Sequence, residues 1–104
     1  MVARRGERLL ARVFTDAERA ASMSVAQLGE RFAAKEAAMK ALGSGWAREI
    51  EWRDVEVVAG RVPSLALHGT FARLAAQAGV TRAQVSLSHT ATSATALVIL
   101  SGDR

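Results

Sequence analysis

The order of hydrophobic patterns along the 104 residues predicts an α+β protein, with helices packed on a small antiparallel sheet. Three observations carry this prediction. Apolar residues recur at three- and four-residue spacing through the first forty or so positions, as on one side of a helix. Short stretches with strand-like alternation follow, mostly in the second half. The regular strand–helix–strand alternation that a parallel sheet needs is missing.

From about Arg4 to Phe14 the apolar positions Leu9, Leu10, Val13 and Phe14 mark a first helix. Arg5, Arg8 and Arg12 fall at i, i+3 and i+7 and share one face of it. Thr15 followed three residues later by Glu18 has the form of a capping box, so a short second helix starts at Asp16. Ser24 caps a third, longer helix that reaches Leu42, where Gly43-Ser44-Gly45 ends it. Gly29 weakens the first turns of that helix. Its alanines (Ala33, Ala34, Ala37, Ala38, Ala41) let a neighbour approach the backbone closely, which marks it as the central helix. Trp52 to Val58 reads as a strand with Val55 and Val57 on one face and Asp54 and Glu56 on the other. Gly60 and Pro63 mark a turn, Ser64 to Leu67 a short strand, and Thr70 to Ala78 a helix closed by Gly79. Gln84 to His89 and Thr95 to Leu100 form an antiparallel hairpin.

The composition bounds what the chain does. Residues 1–104 suffice for one domain and no second one. Half the residues are hydrophobic (50%) and only one is proline, which argues against disorder. With no cysteine there are neither disulfides nor thiolate metal sites, which fits a reducing compartment, and cytoplasm is the expected location. No apolar run approaches the ~20 residues that span a bilayer, and no secretory signal is present. The net charge of +4 is concentrated at the front, where Arg4, Arg5, Arg8 and Arg12 stand against Glu7. Such a patch attracts an acidic partner through its summed field.

Two groups of residues could carry chemistry. The helical stretch from Arg31 to Gly43 places Phe32, Glu36 and Lys40 on one stripe and Arg31 with Lys35 on the next, so a carboxylate has three cations nearby. The plain interpretation is an exposed Glu36–Lys40 ion pair worth roughly 0.2–0.5 kcal/mol. The functional one has Glu36 hold a hard cation while the basic side chains and the Gly43-Ser44-Gly45 turn receive phosphates. His89 is in phase with Val85 and Leu87, on the buried face but at the end of its strand, where a loop can expose it. Taken alone it is a structural histidine, and His68 is a surface or turn residue.

The order of these features resembles the holo-acyl-carrier-protein synthase type of 4'-phosphopantetheinyl transferase. That family's signature, Phe-x-x-Lys-Glu-x-x-x-Lys-Ala-x-Gly with a following Gly-x-Gly turn, is matched by Phe32, Lys35, Glu36, Lys40, Ala41, Gly43 and Gly45. Before it, Arg12, Phe14, Thr15 and Glu18 are similar to the family's Arg-x-Phe-Thr-x-x-Glu segment. After it come Trp52-Arg-Asp-Val-Glu-Val, Gly60 to Pro63, and Val85-Ser-Leu-Ser-His89-Thr90, so the resemblance spans essentially the whole chain. Two departures stand out. The family opens with a Gly-Ile-Asp type strand whose aspartate binds magnesium, and no such segment occurs here, so the domain is read as short at its N-terminus. Val62 also separates Arg61 from Pro63, where the family has a basic residue directly before proline.

The resemblance implies a phosphopantetheinyl transferase fold and Mg²⁺-dependent transfer of 4'-phosphopantetheine from coenzyme A to a serine of an apo acyl carrier protein, in fatty acid or polyketide synthesis. It implies catalytic roles for Glu36, the Mg²⁺ ligand, and for Lys40. Coenzyme A contacts are implied at Arg31, Phe32, Gly43, Ser44, His89 and Thr90, and carrier-protein docking at Arg5, Arg8 and Arg12. It further implies a homotrimer with coenzyme A between subunits. Two rival readings are a truncated or degenerate, weakly active coenzyme A-binding member of the same fold, and a small basic nucleic-acid-binding module. The sequence has no tyrosine and no nucleic-acid-binding motif to support the second.

Overall fold

The computed structural model describes residues 2–21, 24–43 and 49–102, with side chains from Gly6 onward. Ser44, Gly45 and the side chain of Arg5 lie outside the described residues. In chain order the elements are α1 (Val2–Val13), α2 (Asp16–Ala21), α3 (Val25–Leu42), a 3₁₀ turn (Trp52–Asp54), β1 (Val55–Val58), β2 (Ser64–Leu67), α4 (Gly69–Gln77), β3 (Arg82–His89) and β4 (Ala94–Ser101).

The α+β architecture follows the sequence, and the sheet resolves into two antiparallel ribbons. One pairs β1 with β2, from Val55 opposite Leu67 to Val58 opposite Ser64. The other pairs β3 with β4, from Arg82 opposite Ser101 to His89 opposite Ala94. Helix α3 lies against both ribbons. Its Ala34, Ala38 and Met39 form the core with Ile50, Val55, Val57, Phe71, Ala75 and Val98.

The ends of α3 are set by local chemistry. Ser24 accepts a hydrogen bond from the backbone N–H of Gln27, whose side chain accepts in return from Ser24 N–H, a reciprocal cap. Gly43 closes the helix at φ 77°, a left-handed backbone that costs glycine nothing. Gly29 has a packing reason that the sequence does not display. A Cβ there would stand 3.2 Å from the Cβ of Ala94, so its absence lets α3 settle on β4.

Two details depart from the sequence reading. Trp52–Asp54 is a 3₁₀ turn rather than the start of a strand, because the buried Asp54 carboxylate accepts from Phe71 N–H at 3.2 Å and Glu51 N–H at 3.3 Å. It thereby caps α4 and turns the chain just before β1. Leu9 faces solvent beside Arg8 and Arg12 rather than the core, while Val13 and Phe14 are buried. The His89 side chain, in phase with inward residues but at the strand's end where the sequence allows exposure, is 45% exposed.

Candidate active site

Glu36 and Lys40 sit one turn apart on the exposed side of α3. Among the described residues neither has an ion pair or hydrogen bond, so the surface pair that their spacing suggests is not formed. Phe32, a turn before Glu36, stacks on Trp52 with ring centroids 4.9 Å apart. A cavity of about 360 Å³ lies beside this pair, lined by Arg12, Ile50, Glu51 and Trp52.

The other two cations expected around Glu36 are not there. Lys35 is wholly buried and donates to Glu18 Oε1 at 2.8 Å, to Trp52 O at 3.1 Å and to Val55 O. Glu18 is equally buried; its two oxygens also accept from Thr15 N–H at 2.9 Å and Val57 N–H at 2.8 Å. The ammonium rests 5.5 Å from the centre of the Phe14 ring. Burial pulls the Lys35 ammonium below the ordinary lysine value, and the Glu18 hydrogen bond and charge oppose that pull. Lys35 therefore ties α3 to α2 and to the start of β1. Arg31 is buried too; its Nη1 donates to Gln27 O at 3.2 Å, and its Nε has no partner among the described residues.

A second group surrounds Glu56. Its carboxylate accepts from Thr15 Oγ1 at 2.7 Å and meets His68 Nε2 at 2.8 Å. These bonds hold the Glu56 carboxyl below the usual glutamate value, His68 contributing most. His68 is the N-cap residue of α4, in keeping with the turn position read from the sequence.

At the end of β3, His89 Nδ1 meets Glu30 Oε2 at 2.8 Å. Thr90 organises the turn that follows: its N–H donates to Ser93 O at 2.8 Å, and its Oγ1 accepts from Thr92 N–H and Ser93 N–H. Glu36 lies six residues beyond Glu30 on α3. That is about 9 Å along the axis and some 240° around it by ideal helix geometry. One chain thus leaves Glu36 and His89 on different sides of α3, to be joined only by an extended ligand. Arg8 and Arg12 are exposed on α1. Glu18, Glu30 and Trp52 are residues of these clusters that sequence reasoning gave no site role, the Thr15–Glu18 box being the available signal; Lys35, read as a cation beside Glu36, has a structural place instead.

The family model for the 4'-phosphopantetheinyl transferase superfamily matches residues 1–96. A holo-[acyl-carrier-protein] synthase from Clavibacter sepedonicus is 47% identical over 97 residues, 91% of this chain and 78% of that one. One from Solidesulfovibrio magneticus is 44% identical over 102 residues, covering 93% and 82%. The crystal structure of the Helicobacter pylori holo-[acyl-carrier-protein] synthase, in complex with coenzyme A, superposes with a TM-score of 0.82 at 25% identity, covering 96% and 87%. That from Neisseria meningitidis gives 0.80 at 25% identity, covering 92% and 82%. The chain belongs to the 4'-phosphopantetheinyl transferase superfamily, and within it to the holo-[acyl-carrier-protein] synthase type. It is a transferase, and the group it moves is phosphopantetheine.

Proposed function

We propose that the protein transfers 4'-phosphopantetheine from coenzyme A to the serine hydroxyl of an apo acyl carrier protein, releasing adenosine 3',5'-bisphosphate, in support of fatty acid or polyketide synthesis. The observation that carries the reading is the unspent pair on α3: Glu36 and Lys40 face solvent without partners among the described residues, while the neighbouring Lys35 is locked inside. An exposed carboxylate with no competing cation suits Mg²⁺, which keeps several waters and takes substrate phosphates alongside one or two carboxylates. Glu36 would hold the ion. When bound, Mg²⁺ would offset charge on the transferred and departing phosphates. Lys40 steadies the pyrophosphate as charge builds on the leaving group.

Coenzyme A would lie along Phe32, Gly43 and Ser44, its nucleotide end toward Arg31, His89 and Thr90. The carrier protein would dock on the Arg5, Arg8 and Arg12 face of α1, where the exposed Leu9 supplies an apolar contact amid the charges. A homotrimer would cover the outer face of β4, on which Leu97 and Ile99 stand 62% and 49% exposed. No helix among the described residues is long and apolar enough to cross a membrane, and the reading is of a cytoplasmic enzyme.

The test is Mg²⁺-dependent loading of an apo carrier protein, followed for the chain and for the chain preceded by a Gly-Ile-Asp type segment. Lys40→Ala slows transfer while coenzyme A still binds. If neither form bound coenzyme A with its fold verified, the reading would be wrong.

A further inference from the structure

The Glu30–His89 pair joins a histidine at the end of β3 to a carboxylate on α3, 59 residues earlier. Glu30 is a helical residue whose side chain is only 11% exposed, so its carboxylate is held by the body of the fold. His89 is anchored by the last rung of the β3–β4 ladder opposite Ala94, and its ring is 45% exposed. A carboxylate 2.8 Å from Nδ1 requires a hydrogen on that nitrogen, since two lone pairs would repel. With Nδ1–H committed to Glu30, Nε2 becomes the ring nitrogen left for a ligand. Protonated, it is a charged donor pointed away from α3.

We propose that Glu30 is a positioning residue: it fixes the ring plane and tautomer of His89 so that Nε2 is presented to a phosphate at the nucleotide end of the substrate. This rests on the proposed role of His89 toward that phosphate. A phosphate reaching Nε2 would complete a carboxylate–imidazolium–phosphate chain in which the ring is hydrogen-bonded at both nitrogens. Without Glu30 the ring would rotate between rotamers and tautomers, and ordering it would be charged against binding. A purely structural Glu30, holding β3 to α3, would act on every ligand alike. A positioning Glu30 acts on the phosphate alone.

The experiment compares binding of coenzyme A and of 3'-dephospho-coenzyme A by calorimetry, in the wild type and in Glu30→Ala, Glu30→Gln and His89→Ala. The nitrogen shifts of the His89 ring are read by NMR in the same samples. We expect Glu30→Ala to lower the preference for coenzyme A about tenfold, the scale of one charge-assisted hydrogen bond. The loss falls on the affinity for coenzyme A and not on that for 3'-dephospho-coenzyme A, and His89 shifts from the Nδ1–H form to a mixture. Glu30→Gln, whose carbonyl still accepts from Nδ1–H, restores part of both. If His89→Ala abolishes the preference while Glu30→Ala keeps or raises it, the positioning role is overturned and the role of His89 stands. If His89→Ala itself leaves the preference intact, the nucleotide-end reading fails and takes this proposal with it.

Discussion

Replacing Lys35 by methionine keeps an unbranched side chain one atom shorter and removes its charge from a site with no solvent contact. Three acceptors lose their donor: Glu18 Oε1, Trp52 O and Val55 O. Glu18 is left buried but still receives the N–H groups of Thr15 and Val57. Breaking a buried pair from one side costs about 3–5 kcal/mol. The two retained donors place Lys35→Met toward the lower end, about 3–4 kcal/mol. For a domain whose whole stability is roughly 5–15 kcal/mol, that is a large share. In urea it corresponds to a fall in midpoint of about 2 M, taking a slope of about 1.5–2 kcal/mol per M. Lys40→Met, on the exposed side of the same helix, stays within about 0.5 kcal/mol. Adding Glu18→Leu to Lys35→Met removes the stranded carboxylate and recovers part of the loss, a coupling that a double-mutant cycle reads directly. A Lys35→Met variant within about 1 kcal/mol of wild type, with an unchanged urea slope, would refute the claim that Lys35 pins α3.

Two further outcomes follow from the charges. Glu56 is held below the ordinary glutamate value of 4.5, so its contribution to stability is complete above that value and disappears as pH falls through the lower folded value. Urea unfolding from neutral pH down to about pH 3 will therefore show wild type and Glu56→Gln converging in acid, and His68→Ala narrowing the gap between them at neutral pH. Reversing Arg5, Arg8 and Arg12 to glutamate weakens binding of an acidic carrier protein at least tenfold at low salt, and raising salt weakens the wild-type complex. Unchanged affinity in the triple variant would show that this face is merely solvated.

Much of this fold is legible locally. Ser24 and Gly43 announce the two ends of α3 because capping and left-handed closure are decided within four residues. The β3–β4 hairpin shows itself through alternation, and the ladder extends a residue or two beyond the expected strands because backbone pairing continues past the apolar pattern. What the sequence hides is set by distant partners. The sequence places Lys35 beside Glu36 as one of three cations; it is buried instead because Glu18, 17 residues earlier, and the backbone carbonyls of Trp52 and Val55 accept its hydrogens. Asp54 looks like the outward residue of a strand and is instead a cap for α4. Glu30 and His89 meet only because α3 and β3 pack side by side.

The central claim is that Glu36 is part of the transfer chemistry rather than a solvated surface charge. Intact mass spectrometry of an apo acyl carrier protein, incubated with coenzyme A, Mg²⁺ and the enzyme preceded by a Gly-Ile-Asp type segment, reads this directly. The carrier gains one phosphopantetheinyl group on its serine, and Glu36→Gln, folded and within about 0.5 kcal/mol of the parent in stability, leaves it unmodified. Loading by Glu36→Gln at the parent's rate would contradict the account.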